Sequence, residues 1–562
     1  MEYRVKSTLI QLASILESKG VEVAVLSPGS RNAPLIAALN QCSNIRCLSV
    51  VDERSAAYFA IGIAQQTGNI VAIACTSGTA VLNYAPAIAE AYYQQIPLLI
   101  LTADRPPEWI DQGDGQTIRQ HNIYANFIRR SVQLPSHEPQ SDDFRYNSRL
   151  INEAIDACQY PISGPVHINI PISEPLYSTQ THPVPKSPVM ELITPVVSFP
   201  VEQLKQLSRE WNHAQSRLII TGCMNPDPEL NIAINKLAEQ PGTVVLTETT
   251  SNLFGERLFQ HIDRLAEGIA DEQDSIFVPD LLVTIGGNII SRKIKNWLQK
   301  FRPVKHWCVS SGDFHTDTFL SLTTTIVAKP TPFLKALLPL TEPSQGQYEK
   351  VWQHRNAERL QKHNSFLKRC PWSDLKAYEI ILSHLPEYST VQAGNSTPVR
   401  YLQLFPLPET VTCFSNRGVS GIDGCVSTAA GAAWASANLT TLLTGDLAFM
   451  YDSNGLWNKN LTPNLRIVVM NNGGGNIFRI IEGPDTLPEL EEFIETPIVP
   501  ELKPLVLLHG LEYFCATDQT SLKQSLKAFF SPNLNKPAVL EVKTVNKTSA
   551  TTLKEYFNYI QS

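Results

Sequence analysis

The chain holds 562 residues, 43% of them hydrophobic, with 39 prolines and a formal charge of −7. That length exceeds one ordinary core and predicts two to four domains, and the mild acidity argues against nucleic acid or an anionic membrane surface as partner. Residues 1–20 lack the basic-then-apolar layout of a secretory leader, no stretch is apolar for long enough to span a bilayer, and the ten cysteines form no CxxC pair, which together predict a reduced, cytoplasmic protein with no membrane span.

In chain order, strand-sized apolar runs alternate with helix-like ones. Strands are predicted over 21–26, 45–50, 70–75 and 97–102, with an alanine-rich helix over 55–66. The turns behind them are polar: Ser27-Pro28-Gly29-Ser30-Arg31-Asn32, Thr76-Ser77-Gly78-Thr79 and Thr102-Ala103-Asp104-Arg105-Pro106. This alternation predicts a parallel α/β sheet with its ligand beyond the carboxyl ends of the strands. A proline-rich boundary over 181–200 precedes a second run of strands at 217–221, 243–247, 281–286 and 304–309. Its glycine turn at 284–290 lacks the full GxGxxG pattern and reads as structural. Residues 330–347 read as another linker, followed by strands at 390–393, 410–414, 440–443, 466–470 and 538–542. The predicted fold is three α/β domains with parallel sheets, over 1–185, 190–340 and 350–562.

Glu53 stands just behind a strand and at the mouth of a small-residue helix. Far downstream, Gly445-Asp446-Leu447 ends one apolar strand and Asn471-Asn472 ends the next, followed by Gly473-Gly474-Gly475. An acid and an amide at neighbouring strand ends suit a hard cation, and the glycines let backbone approach phosphates. Taken singly, Glu53 also fits a first-turn helix acid, Asp446 a helix cap and Asn471-Asn472 a turn. Arg31, Arg105, Arg400 and Arg417 all fall in such turns, and guanidinium forks there suit substrates with several carboxylates. His121, His306 and His315 have no metal-ligand spacing.

These motifs resemble the thiamine diphosphate enzyme family, and within it the branch that serves menaquinone biosynthesis. The resemblance rests on Ser27–Arg31, Asp52-Glu53-Arg54-Ser55-Ala56, Thr76–Ala80, Thr102–Pro106, Gly115–Gln120, Gly394-Asn395-Ser396, Asn416–Gly424 and Asn472–Phe478, so it covers both outer domains well and the middle one by length and position. It implies a thiamine diphosphate-binding fold with pyrimidine-binding, middle and diphosphate-binding domains. It implies thiamine diphosphate and Mg²⁺ or Mn²⁺ as cofactors, and a homodimer or homotetramer with the cofactor at a subunit interface. The reaction implied is decarboxylation of 2-oxoglutarate and conjugate addition of the four-carbon remainder to isochorismate.

By the same resemblance, Glu53 activates the cofactor, and Asp446, Asn472 and the Gly474 carbonyl bind the metal. Ile422 supports a bent cofactor, and Ser30, Arg31, Arg105, Gln116, Ser396, Arg400 and Arg417 bind and position substrate. Ile477 and Phe478 form an apolar wall, and Arg292 and Lys293 match a basic patch in the middle domain. Gly473 stands where the family carries a third asparagine, a change that touches the local turn and keeps Asn472. Another 2-oxoacid decarboxylase or an acetolactate synthase-like enzyme is the alternative; the four arginines argue against a small neutral acceptor.

Overall fold

Among the described residues every strand pair is parallel, and the strands form three six-stranded sheets. The structure, a computed structural model, describes residues 6–136, 141–176, 187–196, 198–269, 275–312, 315–481, 483–497 and 501–562. The first sheet holds β1 (Val23–Leu26), β2 (Arg46–Ser49), β3 (Val71–Cys75), β4 (Leu98–Asp104), β5 (Arg130–Gln133) and β6 (Val166–Pro171) in the order β2-β1-β3-β4-β6-β5. The middle sheet holds β7 (Arg217–Thr221), β8 (Thr243–Thr247), β9 (Leu258–Phe259), β10 (Leu281–Ile285), β11 (Lys305–Ser310) and β12 (Thr324–Val327). The third holds β13 (Thr390–Ala393), β14 (Thr412–Ser415), β15 (Thr440–Gly445), β16 (Leu465–Asn471), β17 (Glu512–Ala516) and β18 (Ala538–Lys543).

The third sheet runs β14-β13-β15-β16-β18-β17, the order of the first sheet repeated strand for strand. β3, β4 and β6 are buried along their whole length, as expected of parallel strands covered on both faces. In both outer sheets the chain leaves the first strand for one neighbour and then crosses to the other. That reversal opens a crevice at the carboxyl ends. Ser27–Arg31 and Thr76–Thr79 flank it in the first sheet, and Gly394–Ser396 and Asp446 in the third.

The outer units meet through two helices, Glu53–Thr67 and Cys425–Ala435. Both are rich in alanine and almost entirely buried. At their crossing the backbones touch: a Cβ on Gly62 would lie 2.0 Å from the Thr428 carbonyl oxygen, and one on Gly431 would lie 1.9 Å from that of Phe59. Only glycine fits either position.

The α/β class with parallel sheets is as the sequence predicts, with differences in detail. β5, β9, β12 and β17 lie at or near sheet edges where the apolar pattern is weak, and neither they nor β6 are among the predicted strands. The 330–347 segment is no simple linker. Pro330–Leu337 is a helix with proline in its first turn, where the missing N–H costs no hydrogen bond. Of the 181–200 boundary, 181–186 and 197 lie outside the described residues, and 187–196 carries no helix or strand. No helix among the described residues is long and apolar enough to cross a membrane.

Gly431→Ala should force the two helices apart and cost about 1–3 kcal/mol. Urea unfolding followed by circular dichroism checks this; an unchanged midpoint would show that the crossing yields at no cost.

Candidate active site

Glu53 opens its helix, and Asp52 caps it by accepting from the Ser55 amide at 3.1 Å. The cap is tied to the third unit: Asn454 Nδ2 donates to Asp52 Oδ2 at 2.7 Å, and an Arg54 guanidinium nitrogen donates to the Tyr451 carbonyl at 2.8 Å. Glu53 is half-buried. Burial raises its pKa, a backbone amide opposes that, and Asp52 adds to it. Its helix begins just after β2, at the carboxyl edge of the first sheet.

Asp446 follows β15 and is buried. One carboxylate oxygen accepts from the Leu447 amide at 2.7 Å, and the other from the Gly473 and Gly474 amides at 2.9 and 3.0 Å. Burial lifts its pKa to about 6 against the pull of those amides. Gly473 and Gly474 have φ of +89° and +140°, a path that L side chains rarely follow.

Asn472 is held by a residue the sequence did not flag. Asp374 is fully buried, and one of its oxygens accepts from Asn472 Nδ2 at 2.8 Å and from Asn476 Nδ2 at 3.3 Å. Its other oxygen accepts from the Thr544 and Ser549 hydroxyls. A carboxylate only accepts, so each amide must turn its nitrogen toward Asp374. The Asn472 Oδ1 is thereby left buried without a partner. The Gly474 carbonyl accepts from the Asn476 amide at 2.9 Å and keeps its second lone pair. Asp446, Asn472 and Gly474 therefore offer an all-oxygen donor set that fits a hard divalent cation. Among the described residues no cluster of three His, Cys, Asp or Glu side chains exists; this set needs only one carboxylate.

Ser30, Arg31, Arg105 and Gln116 gather at the carboxyl edge of the first sheet. Arg31 is buried, donates to the Ile172 carbonyl at 2.8 Å and pairs with Glu174 at 3.0 Å. Burial and the nearby Arg105 lower its pKa, and Glu174 opposes them. Arg105 pairs with Asp114 at 3.2 Å. Gln116 is exposed with φ of +55°, and its backbone lies so close to Gly78 that a Cβ there would sit 3.2 Å away. Gln120 fastens that contact by accepting from the Gly78 amide at 3.0 Å.

Ser396, Arg400, Arg417 and Ile422 gather at the edge of the third sheet. Arg417 donates to Asn395 Oδ1 at 3.0 Å, and the Nε atoms of Arg400 and Arg417 are buried without partners. The half-buried Ile422 precedes Gly424, where a Cβ would strike the Tyr58 ring. Ile477 and Phe478 are half-buried on the short helix Ile477–Ile480, and the Phe478 ring lies 3.0 Å from where a Gly475 Cβ would be.

The two candidates in the middle unit diverge. Arg292 is exposed and its charge reaches Arg400, whereas Lys293 pairs with Glu267 and lies over the Phe557 ring. Lys295 is the lysine turned toward the arginines: burial, then Arg417, lower its pKa, and Arg400 adds to this. The signal was present in the sequence, since Arg292 and Lys295 are three residues apart on one helix and share a face. Glu53 and the Asp446 cradle stand on the edges of different sheets, as do the two arginine groups.

Residues 8–123 match the family described as the thiamine pyrophosphate enzyme N-terminal TPP binding domain, and residues 199–388 match the middle domain of thiamine pyrophosphate enzymes. The fold resembles benzoylformate decarboxylase from Polynucleobacter necessarius, with a TM-score of 0.71 at 17% identity over 97% of this chain and 99% of that one. Fold and site thus define a thiamine diphosphate-dependent enzyme. The 2-succinyl-5-enolpyruvyl-6-hydroxy-3-cyclohexene-1-carboxylate synthase of Flavobacterium psychrophilum is 40% identical over 97% of both chains. That of Porphyromonas gingivalis is 39% identical over 100% of this chain and 98% of its own. The chain belongs to the family of these synthases.

One group beside the arginines titrates in an unusual range. Glu248 is buried; one oxygen accepts from the Ile290 and Ser291 amides at 3.0 Å each, and the other has no partner. Burial pushes its pKa up to about 8, with Asp263 adding and the amides and Arg417 opposing. The folded state therefore favours the protonated acid. Its stabilising contribution is complete below the usual glutamate range and is lost as pH rises through about 8. Glu248→Gln should flatten the fall in stability between pH 5 and 9, a difference on the order of several kcal/mol. Denaturant midpoints across that range check it; parallel curves for the two proteins would refute it.

Proposed function

We infer that this chain decarboxylates 2-oxoglutarate and joins the four-carbon remainder to isochorismate, giving 2-succinyl-5-enolpyruvyl-6-hydroxy-3-cyclohexene-1-carboxylate and CO₂ in menaquinone biosynthesis. The observation that carries this is near-full-length similarity to synthases of that product, at 39–40% identity. When bound, thiamine diphosphate supplies an acidic ring carbon that adds to a keto group and a cationic ring that takes up the electron pair CO₂ leaves behind.

The chain's own residues supply the rest. Glu53, half-buried with its carboxyl raised in pKa by burial, would hydrogen-bond the cofactor's pyrimidine ring, so that the cofactor's own amine could serve as base. Asp446, Asn472 and the Gly474 carbonyl hold Mg²⁺ or Mn²⁺, a role supported by the buried, unpartnered Asn472 oxygen. Ile422 would give the cofactor apolar support, and Ser396 would help hold it. The two arginine groups bind anionic substrates: Arg31 and Arg105 with Ser30 and Gln116 at one edge, Arg400 and Arg417 at the other, with Arg292 and, in place of the ion-paired Lys293, Lys295 on the middle unit. Ile477 and Phe478 wall the isochorismate ring and keep water from it.

The resemblance to thiamine diphosphate enzymes supports a homo-oligomer, dimer or tetramer, with the cofactor site at a subunit interface. The ten cysteines, all unpaired, support a cytoplasmic setting.

Incubation with both acids, with and without thiamine diphosphate, followed by mass spectrometry, tests the reading; decarboxylation of pyruvate in preference to 2-oxoglutarate would overturn it. Glu53→Gln should lower turnover by about a hundredfold or more while folding is kept. Deuterium exchange at the cofactor's reactive carbon reads this directly, and a near-native rate would remove Glu53 from the role. Asp374→Asn should let the Asn472 amide flip and weaken Mg²⁺ binding by about 10- to 100-fold. Titration calorimetry measures it, and unchanged affinity would detach Asp374 from the cradle.

A further inference from the structure

The turn at 417–420 carries Arg417 and leads into Ile422, yet little of what holds it is nearby in sequence. Glu90, on the helix Ala85–Gln94 of the first unit, takes the Gly418 amide at 2.6 Å, the Val419 amide at 2.7 Å and the Ser420 amide at 3.3 Å on its carboxylate. Glu90 is 1% exposed, so water does not compete for these bonds. A Cβ on Gly418 would lie 2.5 Å from the Glu90 carbonyl oxygen, which is why the turn can seat so closely. The opposite side is gripped from the middle unit: Asn288 Nδ2 donates to the Arg417 carbonyl at 2.5 Å and to that of Gly418 at 3.3 Å. Asn395 Nδ2 bridges the ends of the segment by donating to the Asn416 and Gly421 carbonyls at 2.7 and 2.6 Å. Ser420 is held at φ of +71°, a backbone state that a non-glycine residue keeps only under such constraint.

Three consecutive N–H groups converging on one carboxylate form an anion nest, and charge-assisted bonds of this kind are the strong ones. The nest sets the Arg417 backbone, and Asn395 sets one guanidinium nitrogen. The Arg417 Nε remains buried and unpartnered. The side chain is thus aimed but not satisfied.

We propose that Glu90 is a positioning residue for the reaction: its carboxylate fixes the 417–420 turn so that Arg417 presents its fork to a substrate carboxylate. This rests on the assignment of Arg417 to substrate binding. Glu90 acts through the turn, its carboxylate bonded to the Gly418, Val419 and Ser420 amides.

The test is steady-state kinetics on the full-length enzyme saturated with thiamine diphosphate and Mg²⁺, for Glu90→Gln, Glu90→Ala, Arg417→Ala and the Glu90→Gln/Arg417→Ala pair, varying each substrate in turn. Arg417→Ala should raise KM for one of the two acids. Glu90→Gln, which keeps the shape and one acceptor oxygen, should raise the same KM about tenfold with kcat changed less than about threefold. Glu90→Ala should raise it further. The pair should be no worse than Arg417→Ala alone, since both changes remove one interaction. A general loosening of the fold would instead lower kcat, shift both KM values and add to the arginine change, and that result overturns the proposal. Should Glu90→Ala not fold, Glu90→Gln and the pair decide alone. If Arg417→Ala moves neither KM, the substrate role of Arg417 fails first. If Arg417→Ala acts and Glu90→Gln does not, the positioning role alone fails.

Discussion

The backbone contact between the helices Glu53–Thr67 and Cys425–Ala435 is the constraint on which the rest of the structure depends. Each helix begins at a candidate site segment: one starts with Glu53, and the other follows Ile422, Asp423 and Gly424. With Gly62 and Gly431 pressed against carbonyls, neither helix can slide without a steric clash. Side chains then fix rotation about the contact. Tyr58 donates to Asp423 at 3.1 Å, and its ring fills the space a Gly424 side chain would need. Asn454 donates to Asp52 at 2.7 Å, and Arg54 to the Tyr451 carbonyl at 2.8 Å. The outer units are thereby registered against one another to the tolerance of packed backbone, not of a flexible linker.

Around this contact, buried carboxylates serve as hubs for backbone amides. Glu90, Glu248, Asp446 and Asp452 each accept from main-chain N–H groups, and burial raises the pKa of all four. Desolvation and amide donation pull in opposite directions. Because desolvation is the larger cause in each case, these acids hold the loops at some cost in stability. That trade is characteristic of segments whose geometry matters more than their contribution to folding.

The residues legible in the sequence share a physical property: their chemistry is local to a strand-to-loop turn. Glu53, Asp446, Asn472 and the arginines each follow an apolar run that is unmistakably a strand, so the class of fold and the neighbourhood of the site could be read together. What escaped acts across the chain. Glu90 and Asn288 meet the 417–420 turn from 328 and 129 residues away, and Asp374 meets Asn472 from 98. No spacing rule links such pairs, since their proximity is a product of sheet order. The weak edge strand Glu512–Ala516, partly buried at four of its five positions, escaped for a different reason: edge pairing leaves no strong alternation to read. Pro330–Leu337 was misread because proline marks a helix start as well as a linker.

The composition of the Asp446 cradle follows from charge. A divalent cation held by one carboxylate, one amide oxygen and one peptide carbonyl would keep a net positive charge, and would therefore still attract a diphosphate. A cradle of three carboxylates would bind the cation more tightly but reverse the sign seen by that ligand, and in so buried a place the repulsion would be poorly screened. Neutral oxygens can serve only if their dipoles are already aimed. Asp374 does this for Asn472: it takes the amide nitrogen, and so orients the donor group and leaves the acceptor oxygen buried without a partner. With a cation bound there, the second acid would contribute orientation without becoming a ligand, and the cradle would retain a charge balance that suits an anionic cofactor.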